Sequence, residues 1–180
     1  MPGAIGWNWQ TPLQDTLRRN LATKEEFERL AGQAEISNDS KVVLYGDNNN
    51  WFATWALWQF KYYGHQDVQL MNSGRKKWIE GKRPLSTDKP KLTPTIHKAK
   101  EPDNPIRAFR NEIFVLLDKK SHNLMDVRSP DEFTGKIIAP PGMPETTQRA
   151  GHIPGAKNIP WSKAVNEDGT FKSAEELKKL

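Results

Sequence analysis

Short unbroken apolar runs alternate, in the first part of the chain, with stretches where apolar side chains return every three or four positions. Val42-Val43-Leu44-Tyr45 is one such run, rich in β-branched and aromatic side chains and closed by Gly46. Its length and composition predict a buried strand of a parallel sheet. Gly46-Asp47-Asn48-Asn49-Asn50 is then a tight polar turn. After it Trp51, Trp55, Trp58 and Tyr62 recur at spacings of four, three and four, predicting a helix whose continuous apolar stripe is core. Upstream, Thr23 has the form of an N-cap, with Glu25 and Glu26 in the first turn, Phe27, Leu30 and Ala31 as the apolar side and Gly32 as the stop. Downstream, Asp67 to Met71 reads as a second strand, and Asn72-Ser73-Gly74 turns into a short helix with Lys76, Lys77 and Trp78 that Gly81 closes. This β-α-β-α alternation predicts an α/β fold with a parallel sheet and right-handed crossovers.

The pattern lapses between about Arg83 and Ala108, where five prolines punctuate a lysine-rich stretch. That composition predicts an extended linker, with at most a strand around Thr95-Ile96-His97. Helical periodicity resumes at Arg110 with Ile113, Leu116 and Leu117. Asn123 to Arg128 reads as a strand ending in a charged pair. Ser129-Pro130-Asp131-Glu132 reads as an N-cap, a proline at the first helical position and acids in the first turn. Ile138 to Thr147 is an irregular, proline-rich excursion, Gly151 to Trp161 a turn into a short strand, and Ala174 to Leu180 a helix.

Composition narrows the function classes. The apolar fraction of 36% and mean hydropathy of −0.79 are low for a compact domain, and seven tryptophans offset part of that shortfall because each aromatic buries a large area. The net charge of +5 comes from lysines and arginines spread along the chain, a solvated surface rather than a nucleic-acid face. A nucleic-acid binder would instead show salt-sensitive affinity for nonspecific DNA. No apolar run reaches the length of a membrane span, and Met1-Pro2-Gly3-Ala4 has neither the charge nor the apolar sequel of a secretory signal, so a cytoplasmic protein without a membrane partner is expected. His65, His97, His122 and His152 show no ligand spacing and no accompanying acid cluster, so neither metal nor cofactor is expected. The chain has no cysteine, hence no disulfide and no thiol chemistry of its own.

Strand, short loop and helix N-terminus is the arrangement in which open α/β sheets place ligands, because helix amides point into the loop. On form alone, Lys41 to Gly64 is therefore the best candidate site. An internal repeat changes that view. Pro2-Gly3-Ala4 followed by Trp7 matches Pro154-Gly155-Ala156 followed by Trp161, and Lys24 to Leu30 matches Ala174 to Leu180, about 150 residues apart. The first copy runs on into the Val42 strand and its loop. The second is preceded by the Leu124–Arg128 strand. The expected organisation is the back half of one module joined to the front half of another, a chain truncated at both ends.

The ordered motifs resemble the tandem rhodanese family, the thiosulfate and 3-mercaptopyruvate sulfurtransferases. Asp126-Val127-Arg128-Ser129-Pro130-Asp131-Glu132-Phe133 is similar to the family's D-x-R-x-x-x-E-[FY] motif, and Gly151-His152-Ile153-Pro154-Gly155-Ala156 to its G-H-I-P-G-A signature. Val42 to Asp47 resembles its third strand, and Met71 to Trp78 its turn and helix, with Ser73 where many members have glycine. The resemblance implies a rhodanese-like parallel sheet flanked by helices. Residues 1–83 would be the back half of a first, inactive module, 84–108 the linker, and 109–180 the front half of a second module. The two halves could also combine as one hybrid sheet in permuted order; two incomplete modules are favoured.

The activity implied is transfer of sulfane sulfur from a small anionic donor, thiosulfate or mercaptopyruvate, through a cysteine persulfide to a thiophilic acceptor such as cyanide. It needs a cysteine in the strand–helix loop, where amides and the helix dipole stabilise the thiolate. Asp47 stands about where that cysteine would be, and reads also as a cap of the Trp51 helix. A carboxylate is a poor nucleophile toward sulfur and repels an anionic donor. The chain alone is expected to be inactive, and the alternative is a non-catalytic rhodanese-like binding or scaffold module. Asp126 and Arg128 read as holding neighbouring loops through hydrogen bonds and a bidentate ion pair, with substrate contact by Arg128 the second possibility. Gly151, His152 and Gly155 read as turn residues, His152 fixing the turn rather than acting as a base. A phosphatase of the related fold would need a C-x5-R loop, which is absent.

Overall fold

A computed structural model describes residues 1–8, 10–14, 20–102, 106–119, 122–142 and 148–180. The chain divides into two compact units, Met1–Arg107 with Asp168–Thr170, and Ala108–Glu167 with Phe171–Leu180.

In the first unit, α1 (Lys24–Gln33) begins in a complete capping box, in which the Thr23 side chain accepts from the Glu26 amide and the Glu26 carboxylate accepts from the Thr23 amide. Strand β1 (Val42–Leu44) pairs in parallel with β2 (Val68–Leu70), in register Val42 to Val68 and Leu44 to Leu70. A 3-10 turn, Asn48–Asn50, leads from β1 into α2 (Trp51–Tyr62), and α3 (Gly74–Glu80) follows β2. The core gathers Leu21, Phe27, Val42, Phe60, Tyr63 and Val68. Phe27 meets Phe60 edge-on at 5.0 Å, and Trp7 stacks on Phe60 at 5.9 Å.

Two expectations change here. The stripe on α2 is core only in part: Trp51 is exposed, and Trp55 and Trp58 are half-buried. Tyr62, the last residue of the stripe, is buried, and with it the buried face comprises Ala53, Ala56, Gln59 and Phe60, the two alanines letting the helix backbone approach its neighbours closely. The tryptophans flank that face, where each indole N–H still reaches a carbonyl: Trp55 Nε1 donates to Leu13 O at 3.3 Å and Trp58 Nε1 to Ile106 O at 3.0 Å. Gly32, in turn, does not stop α1. It lies inside the helix because a Cβ there would stand 2.4 Å from Thr95 O.

That contact reflects the course of the proline-rich stretch. It forms no strand among the described residues, but its second half is laid along the first unit. Thr95 N donates to Gly32 O, Lys98 and Asn38 exchange two bonds, Ala99 N donates to the Glu28 carboxylate and Lys100 N to Tyr63 O.

The second unit contains α4 (Arg110–Lys119), β3 (Met125–Asp126), α5 (Pro130–Thr134), β4 (Lys157–Asn158) and α6 (Ala174–Leu177). Strand β3 pairs in parallel with β4, Asp126 opposite Asn158. Helices α5 and α6 both start in capping boxes, at Ser129 and Ser173, as the acidic first turns predict. The strands are short and the final helix stops at Leu177 rather than Leu180. Half of the Ile138–Thr147 excursion that precedes β4, residues 138–142, is described, and residues 143–147 lie outside the described residues. The described strands form two two-stranded sheets, β1–β2 and β3–β4.

Candidate active-site loop

The loop after β1 is shaped by three consecutive left-handed residues, Asn48, Asn49 and Asn50, with φ of 49°, 53° and 65°. Asparagine tolerates this region better than other side chains larger than glycine, which explains the run of three. Asn50 then organises the loop from inside. It is fully buried, its Oδ1 accepts from Gly46 N at 2.8 Å, and its Nδ2 donates to Met71 O at 2.6 Å, tying the loop to the end of β2. Arg75 N also donates to Gly46 O at 3.1 Å. Gly74 permits this closure: at φ of 61° a Cβ would stand 2.5 Å from both Asn50 Oδ1 and Gly46 O.

Asp47 lies at the head of the 3-10 turn, but its side chain caps no helix. Nor does Asn50, at the N-cap position of α2, whose amide group is already committed within the loop. The carboxylate of Asp47 instead faces Arg75, whose Nη1 stands 3.2 Å and 3.4 Å from its two oxygens. Both side chains are more than half exposed, so the pair orients the carboxylate without adding much stability. A cavity of about 850 Å³ opens beside the loop, lined by Tyr45, Asp47, Asn48, Phe52 and Arg75, and continues along Val43. Burial raises the Tyr45 hydroxyl above its ordinary pKa. A loop of this shape could hold an anion beside Arg75, and the group that faces Arg75 there is itself an anion, Asp47.

In the second unit the two signature stretches interlock. Arg128 forks onto Asp126, Nε to Oδ1 at 3.1 Å and Nη2 to Oδ2 at 2.7 Å, and Nη2 also donates to Gly151 O at 2.7 Å. Bonds from Arg128 hold the Asp126 carboxyl below its ordinary pKa, more than burial raises it. His152 stacks on Phe133 at 3.7 Å between centroids, with Nδ1 2.8 Å from Phe133 O. A carbonyl only accepts, so Nδ1 carries the proton. Gly151 and Gly155 have φ of 95° and 82°, the left-handed turns that let this loop close. The expected site residues of the second unit thus meet around one ion pair, and Asp47 stands in the first unit with Arg75.

Three residues escaped the reading of the sequence. Arg75 was visible only as part of a helix start. Asn50 looked like any turn asparagine. Asn158 donates to both Asp126 O and Arg128 O, at 3.0 and 2.9 Å, and nothing but its place at the end of a short strand could have suggested it.

Parallel strands flanked by helices, with strand-end loops of this kind, define an α/β module in each unit. The rhodanese-like domain model matches residues 2–81 and again residues 111–180, and the chain belongs to that family. It is 58% identical over 179 residues to a protein of Mycolicibacterium smegmatis and 55% identical over 179 residues to one of Haloferax volcanii. Both bear the name "Putative thiosulfate sulfurtransferase". These alignments take in 99% of this chain and 64% and 62% of the relatives, so the chain spans slightly less than two thirds of their length. Among solved structures, the crystal structure of SseA from Escherichia coli, described as a 3-mercaptopyruvate sulfotransferase with the rhodanese fold, superimposes with a TM-score of 0.81 at 22% identity. That match covers 99% of this chain and 65% of SseA, and is a likeness of fold.

Proposed function

We propose that the chain is part of a thiosulfate sulfurtransferase, which moves sulfane sulfur from a small anionic donor to a thiophilic acceptor such as cyanide through a cysteine persulfide. The observation that carries the proposal is the Asp47 loop: it has the strand–loop–helix form, and a carboxylate paired with Arg75 stands where a thiolate would be needed. The first module, 1–83, is then the silent copy, 84–108 the connector, and 109–180 the front part of the second module, whose equivalent loop carries the cysteine in a protein of the relatives' length. Asp126, Arg128, Gly151, His152 and Gly155 are assigned to holding that module's loops, and the fork of Arg128 onto Asp126 supports a positioning role over substrate contact. No helix of the described residues is long and apolar enough to cross a membrane, and a cytoplasmic setting belongs to the same proposal.

Intact-mass measurement after incubation with thiosulfate tests this reading. The chain should gain no sulfur atom, whereas a full-length relative should gain one on a cysteine of its second module. Sulfur bound covalently to this chain would overturn the silent-loop assignment. A full-length relative that gains none would favour the binding-module alternative.

A further inference from the structure

Two histidines far apart in sequence meet inside the first unit. His65, after α2, and His97, in the proline-rich stretch, are 2% and 3% exposed, with ring centroids 5.4 Å apart. Phe27 meets His97 edge-on at 5.6 Å, and Phe60 meets His65 at 5.3 Å. Each imidazole faces a backbone carbonyl: His65 Nε2 lies 2.9 Å from Ser40 O, and His97 Nδ1 lies 3.2 Å from Ile36 O. Because a carbonyl only accepts, those two nitrogens carry the N–H, and in the neutral rings His65 Nδ1 and His97 Nε2 are bare lone pairs. Both are buried with no hydrogen-bond partner among the described residues. A proton arriving at either one would place a cation in an aromatic pocket beside a second imidazole.

We infer that His97, packed against His65, is a proton-operated latch, which holds residues 94–101 against the first unit while its ring is neutral and releases them on mild acidification. His97 sits in the middle of the strap it controls. On either side, the strap is held by Thr95 N to Gly32 O, the Asn38–Lys98 exchange, Ala99 N to Glu28 and Lys100 N to Tyr63 O, with an ion pair between Lys24 and Glu101 beyond. A groove lined by Glu25, Glu28, Arg29 and His97 gives water a path to the site. These are the charged groups of α1 that face it; Lys98 and Lys100 belong to the strap, and His65 faces it from the end of α2. Burial lowers the His97 pKa, His65 acts in the same sense, and the Ile36 and Ser37 backbone and Glu28 oppose them more weakly.

The sign follows from linkage. A histidine held below its ordinary value of 6.5 binds its proton more readily once the strap is free, so the docked state loses stability as pH falls below about 6.5. Between pH 7.5 and 5.5 a single such histidine can raise the released population by at most about tenfold.

Hydrogen exchange of the full chain, corrected for intrinsic rates, tests the latch at pH 7.5 and 5.5. Protection of the Thr95, Lys98, Ala99 and Lys100 amides should fall severalfold, by at most about tenfold, at the lower pH, with the Met71 amide of the β1–β2 pair unaffected. His97→Leu, which cannot take up a proton, should abolish the difference. Should that variant fail to fold, NMR titration of the wild-type rings replaces it, with a His97 midpoint below 6.5 expected. Unchanged or tighter strap protection at pH 5.5, loss shared with Met71, pH dependence that persists in His97→Leu, or a His97 midpoint at or above 6.5 overturns the latch.

Discussion

Arg75 reaches from the first turn of α3 to place Nη1 3.2 Å and 3.4 Å from the two carboxylate oxygens of Asp47. The cation that would steady an anionic nucleophile is thus present, and the nucleophile is not. Replacing Asp47 by cysteine should therefore produce a thiol that ionises early. In Asp47→Cys the pH midpoint of alkylation by iodoacetamide should fall about one unit below the ordinary 8.5 of a free cysteine. Adding Arg75→Gln should move it back up. A midpoint at or above 8.5 in the single variant would show that the loop does not favour an anion at this position.

The loop owes its shape to Asn50 and Gly74 rather than to Asp47. Gly74→Ala places a Cβ 2.5 Å from two oxygen atoms at a φ of 61°, and should cost at least about 2 kcal/mol in urea denaturation. Asn50→Asp loses the donor to Met71 O and should cost a similar amount, because a buried carbonyl is then left facing a carboxylate. Asp47→Ala, whose side chain is largely exposed, should change stability by less than about 0.5 kcal/mol.

In the second unit Asp126 and Arg128 form a partly buried pair with 12% and 35% side-chain exposure. Asp126→Asn should destabilise that unit by about 2 kcal/mol, less than for a fully buried pair because the guanidinium is a third exposed. The acid limb should change with it. Asp126 is held below its ordinary carboxylate value near 3.8, so its contribution is fully present above that value and fades as pH falls through the folded one. Thermal melts below about pH 4 should flatten in Asp126→Asn, and an unchanged acid limb would contradict the pairing.

Gly32→Ala should act on the strap directly. Its Cβ would stand 2.4 Å from Thr95 O, so the amides of residues 95–100 should lose protection in hydrogen exchange at neutral pH, while alanine's helix propensity leaves α1 itself intact.

Local signals were legible in the sequence, and those that depend on distant partners were not. The helix caps at Thr23 and Ser129 and the β1–α2–β2–α3 order follow from residues close in sequence. The role of Gly32 was misread because a glycine late in a helix looks like a stop until Thr95, more than sixty residues on, is seen above it. Asp47 was misread as a cap because it precedes a helix, whereas three left-handed asparagines separate it from α2 and Arg75 lies twenty-eight residues away. The tryptophan spacing announced a helix correctly but could not say that its buried face is centred on Ala53, Ala56, Gln59 and Phe60. His65 and His97 showed no ligand spacing along the chain, and their meeting depends on how the proline-rich stretch docks.

The central claim is that the Asp47 loop is a silent copy and that no sulfur passes through this chain. The direct measurement is thiocyanate production from thiosulfate and cyanide by the purified 180-residue chain. The account predicts none above a protein-free blank. Turnover by this cysteine-free chain, proportional to its concentration, would contradict it.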